Sequence, residues 1–105
     1  MTTKKNLRVI VVDKIATYLR RDGAIVCGNS DYQIVFTFDD EWDDITTKTA
    51  RFRWNGENHD VTFEGNTCDI PVINDTDEVI VGVFADEIST TPIVIPCKRS
   101  ILCSS

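Results

Sequence analysis

The densest group of reactive side chains in this sequence is a run of carboxylates. In FDDEWDD, Phe38–Asp44, five acids (Asp39, Asp40, Glu41, Asp43 and Asp44) surround one tryptophan, Trp42. Carboxylates this close could hold calcium, because a hard cation takes several oxygen ligands. Two of them could act as a general acid and base, as in glycoside hydrolysis. The run lacks the residue order and central glycine of an EF-hand loop. A catalytic pair is usually assembled from separate strands, with burial raising one pKa, which five crowded neighbours on one loop do not provide. We therefore expect a polar turn. Asp39 ends one strand, Trp42 folds back as an apolar plug over the open end of the fold, and Ile45 begins the next segment. Asp39, Asp40, Asp43 and Asp44 stand as weak metal candidates, and Glu41 and Trp42 as candidates for contact with a partner.

Nucleophilic chemistry needs a nucleophile, a base and an orienting group within reach of one another. The one histidine is His59, and its strand register puts it on an apolar face opposite Phe52, which suits a half-buried structural histidine. The four cysteines, Cys27, Cys68, Cys97 and Cys103, include no C-x-x-C pair. Zinc binding is therefore a weak reading, and buried free thiols are expected. A Cys68–His59 pair is not suggested by any spacing. No G-x-S-x-G, phosphate-binding glycine loop or H-E-x-x-H motif occurs, so no catalytic residue and no cofactor is expected. The remaining candidates for contact are Arg51 and Arg53, two residues apart on the outward face of one strand. They could meet an acidic partner, although matching of Arg51 with Asp60 inside the sheet is the simpler expectation.

These side chains have to be placed by strands, since helical periodicity is nearly absent. Tyr32, Ile34, Phe36 and Phe38 alternate with Gln33, Val35 and Thr37, and Ala50, Phe52 and Trp54 alternate with Thr49, Arg51 and Arg53. Asn55-Gly56 is a two-residue hairpin signal. It pairs Trp54 with Glu57, Arg53 with Asn58, Phe52 with His59, Arg51 with Asp60, Ala50 with Val61 and Lys48 with Phe63. A one-residue slip would mix the faces, so the register is well specified. Gly65-Asn66 repeats the logic, pairing Phe63 with Cys68 and Val61 with Ile70 to make a three-strand meander over Lys48–Ile73. Earlier, Lys14–Arg21 reads as a strand joined through Asp22-Gly23 to AIVC. Val79–Ala85, apolar at nearly every position, reads as a central strand covered on both faces, with Gly82 marking a close backbone approach or a bulge. Pro92 and Pro96 confine the last strand, about Pro92–Cys97, to an edge or to its ends. About eight short strands at this spacing predict an all-β fold: an antiparallel two-sheet, immunoglobulin-like β-sandwich, with a small closed β-barrel as the alternative. The Cys…Trp…Cys spacing of antibody domains is missing.

The 105 residues suit one domain, with 1–6 as a flexible arm and 98–105 as a C-terminal extension. Hydrophobic residues make up 42% and charged residues 27%, which supports a packed core rather than disorder. The net charge of −6 argues against broad binding to nucleic acid or an anionic membrane, which call for a basic footprint. The apolar patch Val9–Val12 is too short for a secretory leader, and no stretch reaches the length of a membrane span. We expect a chain made and kept in a cytoplasm unless released by lysis.

Several phrases carry a family resemblance: FTFDDEWD, Phe36–Asp43; KTARFRW, Lys48–Trp54; CDIPVI, Cys68–Ile73; VGVFA, Val81–Ala85; and PCKRSIL, Pro96–Leu102. From Leu7 to Cys103 the chain resembles the amino-terminal immunoglobulin-like domain of tailed-bacteriophage structural proteins, of the baseplate upper protein and tail or head fibre type. The resemblance implies a non-catalytic virion part, made in the bacterial host's cytoplasm. It would dock on the baseplate or head by protein–protein contact, anchor or decorate a fibre, and form a homo-oligomer. No docking residues carry over. Relatives of this type run on into helical linkers and fibre domains, whereas this sequence stops at Ser105; a stand-alone chain would suit a decoration or adaptor role. A different class of function is a carbohydrate-binding module using Trp42, Trp54 or the acidic run with calcium.

Overall fold

The computed structural model describes residues 5–19 and 23–99. Alternation of apolar and polar residues produces ten strands: β1 Lys5–Val12, β2 Ile15–Tyr18, β3 Ile25–Val26, β4 Tyr32–Phe38, β5 Thr47–Trp54, β6 Glu57–Glu64, β7 Thr67–Asp69, β8 Glu78–Ala85, β9 Ile88–Ser89 and β10 Ile93–Lys98. A 3₁₀ turn, Asp40–Trp42, is the one helical element among the described residues. None of the described helical structure is long and apolar enough to cross a membrane.

The strands form two sheets. One runs β2-β1-β4-β7, and the other runs β3-β10-β8-β5-β6 with β9 beside β8. Their facing sides bury Leu7, Val9 and Val11 of β1 and Ile34 and Phe36 of β4 against Ala50 and Phe52 of β5, Val79, Val81 and Val83 of β8 and Ile95 of β10. The β5–β6 hairpin has the expected register, from Lys48 opposite Phe63 to Trp54 opposite Glu57. Its turn residues Asn55 and Gly56 have φ of 52° and 77°, the left-handed pair that a twisted hairpin favours.

Both sheets are mixed rather than antiparallel. β1 runs parallel to β4, and β3 runs parallel to β10. Parallel neighbours need a crossover. Here β3 lies in the opposite sheet, so the path from β1 to β4 leaves its own sheet and returns. Two expected hairpins are corrected for the same reason. β2 pairs with β1 and β3 with β10, so the strands expected to meet around Asp22-Gly23 are in different sheets; Asp22 itself lies outside the described residues. The meander also breaks at Gly65-Asn66, where β7 pairs with β4 instead of β6.

Other expectations change in detail. β1 begins at Lys5 and β10 ends at Lys98, so Lys5, Asn6 and Lys98 belong to strands rather than to the expected arm and extension; residues 1–4 and 100–105 lie outside the described set. β8 is buried on one face only, since Ile80 is 38% exposed. Gly82 stays in register with Arg51, and a Cβ there would meet only Thr90 Oγ1 at 3.9 Å, so it marks neither a bulge nor a tight approach. β10 is interior in strand order, but β3 covers only Cys97 and Lys98. The stretch holding Pro96 therefore keeps one unpaired side, which accommodates the missing N–H.

Candidate functional site

The acidic run is a clamp before it is anything else. β4 ends at Phe38, and the 3₁₀ turn brings Trp42 inward to 2% exposure, its ring 4.9 Å from that of Phe38. Trp42 is the plug expected of it, and for that reason it is unavailable as a contact residue; its indole N–H has no acceptor among the described residues. Asp39 Oδ2 accepts the backbone N–H of Asp13 at 2.8 Å, and Glu41 forms an ion pair with Lys14. Both partners sit in the β1–β2 turn, where Asp13 and Lys14 have φ of 56° and 65° without being glycine. Thr91 N–H donates to Lys14 C=O at 2.8 Å from a third direction. Glu41 is thus engaged within the chain. The exposed Asp40, Asp43 and Asp44 are left facing solvent. No group of three or more His, Cys, Asp or Glu side chains converges as a metal site among the described residues.

Lys48 closes the other end of this turn. It is 4% exposed on the inner face of β5, and its Nζ donates to Ile45 C=O at 3.1 Å and Gly65 C=O at 2.9 Å. The ammonium lies 5.0 Å from the Phe38 ring centroid and 5.9 Å from that of Phe63. Burial pushes its pKa down. Sequence reasoning placed Lys48 opposite Phe63 but assigned it no role; a lysine on the apolar side of a strand register was the available signal.

His59 stacks on Trp54 with ring centroids 3.9 Å apart and planes 13° apart. The stack covers one face of Trp54, and Trp42 is buried. Cys68 lies on β7 in the sheet opposite His59. Burial first, and then Asp69, pushes the Cys68 thiol up to about 12; burial first, with Cys27, Asp77 and Glu78 adding, does the same to Cys97. Cys27, Cys68 and Cys97 are all buried, and Cys103 lies outside the described residues.

Arg51 and Arg53 do share the outer face of the larger sheet. Cross-strand pairs there set Asp60, Arg51 and Gly82 in one row and Asn58, Arg53, Ile80 and Val94 in the next. Asp60 grips Arg51 with two bonds, Nε to Oδ1 at 2.8 Å and an outer guanidinium nitrogen to Oδ2 at 3.0 Å. The guanidinium also lies 5.1 Å from the Phe84 ring centroid. Its hydrogen bond to Asp60 holds the Asp60 carboxyl below the usual range. Arg53 has neutral cross-strand neighbours and no carboxylate partner among the described residues. Between the arginines, Ile80, Gly82, Phe84, Thr90 and Pro92, the surface sinks into an open hollow of about 220 Å³. The missing side chain of Gly82 forms its floor. Such a surface offers one free guanidinium beside exposed Ile80 and Val94, which suits a carboxylate carried next to apolar atoms.

Comparison with protein-family models, curated proteins and solved structures finds no match to this chain.

Proposed function

We propose that the protein is a non-catalytic docking module of a tailed-phage particle, an immunoglobulin-like β-sandwich that seats on the baseplate or head and anchors or decorates a fibre. The family phrases from Phe36 to Leu102 supply the phage context. The observation that carries the docking role is the outer face of the larger sheet, where Arg53 lacks a carboxylate partner among the described residues and borders the exposed Ile80 and Val94. Arginine beside desolvatable apolar surface is the composition that protein interfaces favour. Burial that pushes the Cys68 and Cys97 thiols up to about 12, and stacking of the His59 ring on Trp54, favour binding over nucleophilic chemistry. The test is mass spectrometry of purified particles, together with retention of the tagged chain on particles stripped of it. Presence at stoichiometric copy number and saturable rebinding are expected; absence from purified particles would sink the proposal.

A further inference from the structure

We infer that the hollow beside Arg53 takes the acidic turn of a second copy of this chain, so that the protein associates head to tail. The inference rests on the larger sheet's outer face being a docking face, and it supplies an occupant for it. Arg51 is held by Asp60 and backed by Phe84, so its charge is already matched within the chain. Arg53 is the open position, flanked by Asn58 and Ile80. Glu78, two residues before Ile80 on β8, makes no ion pair with it.

The chain itself carries the complementary group. Asp40, Asp43 and Asp44 project from a turn fixed by the buried Trp42, the Asp39 bond to Asp13 and the Lys14–Glu41 pair. With Asp39 and Glu41 engaged inside the molecule, these three carboxylates are the exposed remainder of the run. In a chain of net charge −6, a free arginine on a neutral stretch of sheet is the local exception, and the acidic turn is the strongest local opposite. The two cannot meet within one molecule. The turn precedes Thr47 at one end of β5 and Arg53 stands near the other end, about 20 Å away at 3.3 Å per residue. A contact between different patches on two copies is heterologous, and it repeats into a ring or an open filament unless capped. Opposite charges across such a contact make it sensitive to salt.

The experiment uses the purified full chain, with mass measured by sedimentation equilibrium over a concentration series. Wild type should rise above the 11.8 kDa monomer mass at low salt and return to it at high salt. Arg53→Ala keeps the acidic turn but loses the hollow's charge, and Asp43→Ala/Asp44→Ala does the reverse; each should stay monomeric alone. Mixed, they should form a one-to-one pair that grows no further, because each supplies the half the other lacks. Unchanged thermal melts for both variants, whose altered residues are exposed, verify folding. The inference is overturned if wild type is monomeric at every concentration, if either variant still associates, or if the mixture does not pair. None of these results depends on particles, so failure here leaves the virion test standing and failure of that test leaves this one standing.

Discussion

Lys48 shows how far a single residue can be read in advance. Its register opposite Phe63 was legible, and with it the placement of an ammonium on an apolar face. The two carbonyls that receive it were not, because Ile45 C=O and Gly65 C=O belong to loops whose approach is tertiary. Burial sets its folded pKa below the ordinary 10.5. Between the lowered value and 10.5 the unfolded chain binds a proton that the folded chain does not, so Lys48 makes stability rise with pH across that window. The gain is complete above 10.5 and is lost as pH falls through the folded value. Relative to Lys48→Met, wild type should therefore become more stable from neutral pH towards 10.5 in paired thermal melts. A difference that stays flat with pH would show that the amine is not desolvated. Arg53 was equally legible as an outward residue. The inward fold of Trp42 was legible too, as the one apolar residue among five acids.

The elements divide by whether their signal is local. The β5–β6 hairpin was legible because Asn55-Gly56 and the alternation on either side agree with each other. The turn at Asp13-Lys14 was not, since neither residue usually adopts positive φ and the conformation is imposed by Asp39, Glu41 and Thr91. The switch of β7 to the other sheet was also invisible. Cys68 and Ile70 point into the same core whichever sheet β7 joins, so the apolar pattern is identical in both cases. The acidic turn can be dissected by substitution. Asp39→Ala removes the acceptor for Asp13 N–H and should cost about 1–2 kcal/mol. Trp42→Ala opens a large void and should cost about 3–5 kcal/mol. Asp44→Ala, on the exposed side, should stay within about 0.5 kcal/mol. Urea unfolding of the three variants checks the order; an Asp44→Ala loss as large as that of Asp39→Ala would mean the clamp is misassigned.

For the whole molecule, the all-β class and the two-sheet arrangement followed from strand count and turn spacing, while the strand order did not. Order depends on which sheet a chain segment re-enters, and long-range pairing leaves little local trace. Distant pairings are among those that escaped prediction: Lys5 faces Tyr32, and Ile25 faces Cys97. Folding rate falls as such contacts accumulate. Refolding from urea should therefore run in milliseconds to seconds, as followed by tryptophan fluorescence, which Trp42 reports as it enters the core. A microsecond phase that restored the full signal would contradict this topology.

The parallel seam between β3 and β10 has one further consequence. Ile25 is synthesised long before the segment that covers its strand, and β10 also supplies the antiparallel neighbour of β8. A nascent chain emerging from the ribosome holds β3 and β8 without their shared neighbour until β10 has cleared the exit tunnel. Completion of the larger sheet thus waits for β10, and a ribosome that stalls before Ile93 leaves a chain with two open strand edges, on β3 and β8, for quality control to recognise.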